Sequence, residues 1–172
     1  DERRAGEARF GAAPQPVTLQ IEQLEQALIA GKILCYAQGF AMIEAAGRAF
    51  GWQLDLPGIA RVWRAGCIIR SAMLNDMAEA LAEDPARNRI LAPFFAEKLQ
   101  AAMPGLRAVV AQGVLSGQAL PALVAGLGWF DMMRTGRGTA NMIQAQRDFF
   151  GAHGFDRLDG QDRHHGPWGD HG

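Results

Sequence analysis

The chain has 172 residues, 49% of them hydrophobic and 20% charged, with a formal net charge of -1 and an isoelectric point near 6.5. That length suits one globular domain with a real core, and the composition excludes disordered, collagen-like and disulfide-scaffold classes. The near-neutral charge speaks against a nucleic-acid footprint, although all but two of the seventeen basic residues, Lys32 and Lys98, are arginines, the residue type suited to forked contacts with phosphate or carboxylate.

Residues 1–16 are polar, end in the breakers Pro14 and Pro16, and are predicted to form a connector. From Thr18, the expected N-cap, the residues Ile21, Leu24, Leu28, Tyr36, Phe40, Ile43 and Phe50 recur at helical spacing, which predicts one long helix ending at Gly51. Its second half, ILCYAQGFAMI, is apolar on nearly every side and is expected to be surrounded by other helices. Asp55 is placed to cap a short helix carrying Ile59, Val62 and Trp63 and ending near Gly66. Ile69, Met73, Met77 and Leu81 mark a third helix, stopped by Asp84 and Pro85 because the residue before a proline is pushed out of the helical region. Pro93, Pro104 and Pro121 are each expected in the first turn of a further helix, where the missing N–H is harmless. The last helix is predicted over residues 139–150, with Thr139 as cap and Gly151 as stop.

The tail GFDRLDGQDRHHGPWGDHG has too few apolar residues for a core of its own. Its Trp168, beside Pro167, is expected to anchor in a pocket on another surface. The expected organisation is a connector at 1–16, an all-helical domain at 17–155 and a tail at 156–172. With no period-2 pattern and no fixed repeat, the fold class is all-α.

Residues 1–16 carry no apolar core of a secretory signal, and no uninterrupted apolar stretch approaches the ~20 residues of a membrane span. Cys35 and Cys67 lie in apolar runs, where free thiols behave as small hydrophobes, so the expected setting is cytoplasmic, without a membrane partner. No G-x-G-x-x-G, P-loop, C-x-x-C or Ser/His/Asp arrangement is present. The strings Gly126-Leu127-Gly128 and Gly136-Arg137-Gly138 lack the third glycine and are expected in packing and turns. His164, His165 and His171 have no disciplined ligand spacing, so no metal site is expected.

Three strings go beyond generic helix: KILCYAQGF at 32–40, IARVWRAGCIIR at 59–70 and IQAQRDFFGAH at 143–153. With Gly51-Trp52 and Pro167-Trp168 they resemble the C-terminal helical part of decarboxylating 6-phosphogluconate dehydrogenase, over essentially the whole chain. QRDFFGAH departs from the usual family string only in Phe149, where tyrosine is common.

The resemblance implies an enzyme of the pentose phosphate pathway and gluconate utilisation that oxidises 6-phosphogluconate with NADP, releases carbon dioxide and gives ribulose 5-phosphate. It implies a homodimer whose tail crosses to the partner, and a catalytic lysine and glutamate on a helix preceding the part matched here. No catalytic residue is therefore expected in this chain, and its cofactor-binding residues are unknown. A polypeptide of these 172 residues alone is expected not to reduce NADP in the presence of 6-phosphogluconate, which a spectrophotometric assay checks.

Lys32 lies on a different helix from that lysine and is expected to be structural, its stem packed and its ammonium outward. Tyr36 and Gln38 are expected as core hydrogen-bonding residues, Trp63 and Arg70 as helix-packing and surface-pairing ones. Arg147 and His153 match the family's arginine and histidine that bind substrate in the partner subunit's site. The physical sense is plain, because a phosphate carrying about -1.5 to -2 charge calls for fixed donors, and arginine's planar fork supplies two at once. Without the resemblance, Arg147 would serve only the negative end of a helix dipole. The rival readings are a non-enzymatic helical dimerisation module that kept the scaffold, and a wider hydroxyacid dehydrogenase with a non-phosphorylated substrate.

Overall fold

The computed structural model describes residues 1–11, 15–160 and 162–169; Pro14 and His171 lie outside them. Among the described residues there are seven α-helices and no strand: α1 (Glu2–Phe10), α2 (Ile21–Phe50), α3 (Leu56–Gly66), α4 (Met73–Glu83), α5 (Pro93–Leu115), α6 (Pro121–Met133) and α7 (Ala140–Gly151). The all-α class is as expected. The chain divides into two compact units, Asp1–Phe130 and Asp131–Gly172.

The expected connector holds α1, a helix with no buried residue. Its helix-forming Glu, Arg and Ala content, with Glu2 in the first turn and Arg9 in the last, complements the dipole and stabilises it without a packing face.

In the first unit α2 packs along α5, and α3 along α4. α2 begins two residues later than expected, capped at Gln20 rather than Thr18, because the Gln23 side chain reaches back to accept the Gln20 N–H at 3.0 Å. It ends as expected at Gly51, which adopts the left-handed conformation (φ 69°) that glycine enters without steric cost. The buried face differs from the predicted stripe. Ala27, Ala30, Gly31, Ile33, Leu34, Tyr36, Ala37 and Phe40 are buried, whereas Ile21, Leu24, Leu28, Met42 and Phe50 are exposed. Small residues decide this, since they let neighbours approach closely: a Cβ on Gly31 would lie 2.6 Å from Leu123 of α6. On α5, a Cβ on Gly105 would lie 2.4 Å from Gln26 Cβ and 3.0 Å from the Gln23 carbonyl.

By length and composition α2 could cross a membrane, with a mean hydropathy of 1.2 over 18 residues; counting uninterrupted apolar runs passes over it because Lys32 breaks the run. Here 44% of that window is buried against protein.

Pro104 does not start a helix. It sits inside α5, on the exposed face, and the carbonyl left without its N–H is that of exposed Gln100, where water can serve it. Pro93 and Pro121 open α5 and α6 as expected. Asp55 caps α3 through the Gly58 N–H at 3.0 Å. The third helix begins at Met73 rather than near Ile69, because residues 67–72 form a turn pinned from α2: the Tyr36 hydroxyl donates to the Ile69 carbonyl. Burial there pushes the Tyr36 phenol above its ordinary value.

α4 stops at Asp84 as expected, and a buried arginine finishes it. Arg89, 2% exposed and in a short 3-10 turn at Arg89–Leu91, donates to the carbonyls of Ala80 and Asp84, both at 2.6 Å. Burial lowers its pKa, while five fixed donors and the carbonyl end of α4 keep the cation in place. Nothing in the sequence marked it. Lys32, Gln38 and Arg70 are exposed, so Gln38 is not the expected core residue. Trp63 does pack, its ring 5.2 Å from that of Phe40. Both cysteines are free thiols; Cys35 is exposed, contrary to its apolar surroundings in sequence, and Cys67 donates to the Trp63 carbonyl at 3.2 Å.

Candidate functional site

Both predicted substrate-binding residues belong to the second unit, Asp131–Gly172. α7 starts after Thr139, whose side chain makes no cap hydrogen bond; its carbonyl instead accepts the Met142 N–H at 3.0 Å. The helix stops one residue beyond the expected place. Gly151 is still helical, and Ala152 takes the left-handed conformation (φ 50°), its N–H returning to the Asp148 carbonyl at 2.8 Å. The glycine serves another purpose: a Cβ at Gly151 would lie 2.8 Å from His153 Nε2, so its absence lets the imidazole lie against the helix end.

Beyond Gly154 (φ 72°) the chain folds back on itself. Phe155 and His164 form an antiparallel bridge, each N–H donating to the other's carbonyl at 2.9 Å. Within that loop the Arg157 guanidinium grips Asp159, with its closest contact 2.8 Å. Residues 164–168 then return to α7, and the group they return to is Asp148.

Asp148 is the buried acid of this unit, its side chain 0% exposed. Oδ1 accepts the Gly154 N–H at 2.8 Å and faces His165 Nδ1 at 2.7 Å. Oδ2 accepts the Gly166 N–H at 2.8 Å and the Trp168 indole N–H at 2.7 Å. The Gly166 hydrogen bond, joined by those of Trp168, His165 and Gly154, outweighs burial and holds the carboxyl well below the usual carboxylate range. A group with a depressed folded pKa contributes stability above its unfolded value and loses it as pH falls through the folded one. Protection of the Gly154 and Gly166 amides, measured against free peptide at the same pH, is therefore expected to hold from neutral pH down to about 4, the ordinary carboxylate range, and to fall only below it. Hydrogen exchange against pH checks this.

Trp168 is thus held by its own chain. Its ring also meets Phe149 edge-on at 5.9 Å, and the residue is 41% exposed. Within the chain a buried carboxylate needs donors, and the indole N–H is one of four it collects, while the exposed part of the ring stays open to another surface.

Arg147 and His153 are brought together. Both are exposed, and both line an open hollow of about 840 Å3 that also receives Gln144, Arg157, Arg163 and the acids Asp156 and Asp159. Arg147 Nη1 donates to the Gln144 amide oxygen at 3.1 Å, a neutral partner that leaves the cation's charge uncompensated by that bond. It stands one residue before the last turn of α7, a turn without basic residues, so the helix-dipole role fits it poorly. Arg157 and Arg163 were not singled out in the sequence; they join the hollow because the 155–164 bridge folds the loop back, a pairing no local pattern announces. Asp148 could have been noticed, since an acid in the last turn of a helix opposes the dipole unless donors hold it. Arg157 is engaged by Asp159, which leaves the Arg147 guanidinium and the His153 imidazole as the pair in the hollow that suits an anion such as a phosphate ester. Among the described residues no group of three or more His, Cys, Asp or Glu side chains could hold a metal ion.

The family model for the 6-phosphogluconate dehydrogenase C-terminal domain matches residues 2–168. This chain belongs to that family. The NAD(+)-dependent, decarboxylating 6-phosphogluconate dehydrogenase of Bacillus subtilis (strain 168) is 46% identical over 149 residues, covering 86% of this chain and 32% of the relative. The decarboxylating 6-phosphogluconate dehydrogenase of Bacillus licheniformis is 41% identical over 174 residues, covering 98% and 37%. Among solved structures, Plasmodium falciparum 6-phosphogluconate dehydrogenase, studied in its apo form and in complex with NADP+ and with 6-phosphogluconate, superposes with a TM-score of 0.88 at 30% identity, over 97% of this chain and 37% of that one. The chain thus spans about a third of the length of these relatives. The family membership agrees with the resemblance carried by KILCYAQGF, IARVWRAGCIIR and IQAQRDFFGAH.

Proposed function

We propose that this chain is the C-terminal helical part and tail of a cytoplasmic, homodimeric 6-phosphogluconate dehydrogenase that oxidatively decarboxylates 6-phosphogluconate to ribulose 5-phosphate with NADP, and that Arg147 and His153 hold the substrate phosphate in the partner subunit's site. The observation that carries this reading is that both residues line one hollow, where Arg147 is bonded to the neutral Gln144 side chain. Arg147 would offer its fork to two phosphate oxygens, and His153 a further donor from the turn beyond the helix. The residues described here form no strand-to-helix dinucleotide cradle, so no step of hydride transfer is assigned to them. Two exposed apolar stretches support the dimer: the α2 stripe of Ile21, Leu24, Leu28, Met42 and Phe50, and a groove on α7 lined by Met142, Phe149, Phe150 and Trp168. A scaffold without chemistry has no use for Arg147 and His153 on one hollow, and a substrate without phosphate has none for the fork.

Mixed dimers test the reading. One subunit of a full-length enzyme carrying this segment receives an inactivated nucleotide domain and keeps its tail; the other keeps its nucleotide domain and carries Arg147→Ala with His153→Ala. Action of the tail in the partner's site is expected to restore one working site per dimer, since two-fold symmetry pairs the intact head with the intact tail. A mixed dimer as inactive as either parent would overturn it.

A further inference from the structure

His153 is exposed, with one edge of its ring against the helix end at Gly151, and its place is set by the backbone on either side. On one side, the Ala152 N–H is held by the Asp148 main-chain carbonyl at 2.8 Å. On the other, the Gly154 N–H is held by the Asp148 carboxylate at 2.8 Å. Both flanking residues are left-handed, at φ 50° and φ 72°, and for alanine that conformation persists only when its surroundings impose it. The same carboxylate takes Gly166, Trp168 and the His165 ring, so its two oxygens are fully used and cannot turn away.

We propose that Asp148 is a positioning residue for His153: by clamping the turn on both sides and tying the returning tail to one buried carboxylate, it presents the imidazole at the hollow shared with Arg147. The proposal rests on the reading of Arg147 and His153 as phosphate-binding residues. It assigns to Asp148 no contact with substrate. The arrangement resembles the way buried partners orient a functional histidine, with the difference that Asp148 acts on the main chain beside the ring.

Asp148→Asn keeps the shape but offers one acceptor oxygen and an amide that points donors at backbone or indole N–H groups, so at least one of the four hydrogen bonds is lost. In the full-length enzyme the substrate KM is expected to rise about tenfold, the scale of a displaced positioning group, with the KM for the nicotinamide nucleotide unchanged. Combined with His153→Ala, the same change is expected to add little, because there is no imidazole left to place. Amide exchange at Gly154 is expected to quicken in parallel. An Asp148→Asn enzyme with unchanged substrate KM, while His153→Ala raises it, would overturn the proposal and leave the phosphate-site reading standing. An Asp148→Asn effect as large in the His153→Ala background as in its absence would also overturn it, as the mark of a merely structural role. No effect of His153→Ala itself would remove the phosphate-site reading, and this proposal with it. If the Asp148→Asn chain does not accumulate, Trp168→Phe removes one donor while keeping a ring near Phe149; the same dependence on His153 at smaller amplitude supports the proposal, and additivity overturns it.

Discussion

Arg147→Ala, in a full-length enzyme carrying this segment, is expected to raise the KM for 6-phosphogluconate roughly tenfold or more and to leave that for the nicotinamide nucleotide nearly unchanged. Loss of a charge-assisted hydrogen bond to phosphate amounts to about 1.5 to 3 kcal/mol, and each 1.4 kcal/mol or so is a factor of ten. The bond to be exchanged on binding is the neutral one to Gln144, so little resting stabilisation is forfeited. Arg147→Lys is expected to recover only part of the loss, because an ammonium cannot present two parallel donors. Steady-state kinetics with each substrate varied in turn checks both variants. Unchanged substrate constants in the two would return Arg147 to a surface role.

Phe40→Ala is the change expected to weaken the first unit most. Phe40 is 1% exposed on α2, with its ring against Trp63 of α3, so it ties the long helix to the α3–α4 pair as well as filling the core. Truncating a buried phenylalanine removes its transfer energy and leaves a cavity, for a loss of about 3–5 kcal/mol. Urea denaturation followed by far-ultraviolet circular dichroism checks it, the midpoint for the helical signal falling well below that of the parent chain.

The residues that combine apolar spacing with local stop chemistry were legible in the sequence. Gly51, Asp55, the Asp84-Pro85 pair, Pro93 and Pro121 act through their own φ, their own N–H or their own side-chain oxygen, so each carries its meaning wherever the chain goes. Arg147 and His153 were singled out by resemblance, and both line one hollow at the turn after α7, where Ala152 rather than Gly151 makes the break. Pro104 misled because the same ring that opens one helix is tolerated inside another when the carbonyl it leaves bare faces water.

What the sequence by itself determined is the all-α class, most of the helix limits and the family, because these follow from local backbone preferences and from ordered strings of residue types. Only the tertiary structure decided which side of α2 is buried, since a helix apolar nearly all round has no periodicity to reveal its inner face, and Gly31 and Gly105 choose it by how closely neighbours can approach. It also decided the place of Asp148, whose four donors come from residues six to twenty positions later. A carboxylate's need for donors is plain from its chemistry, but which donors meet it is a property of the folded chain.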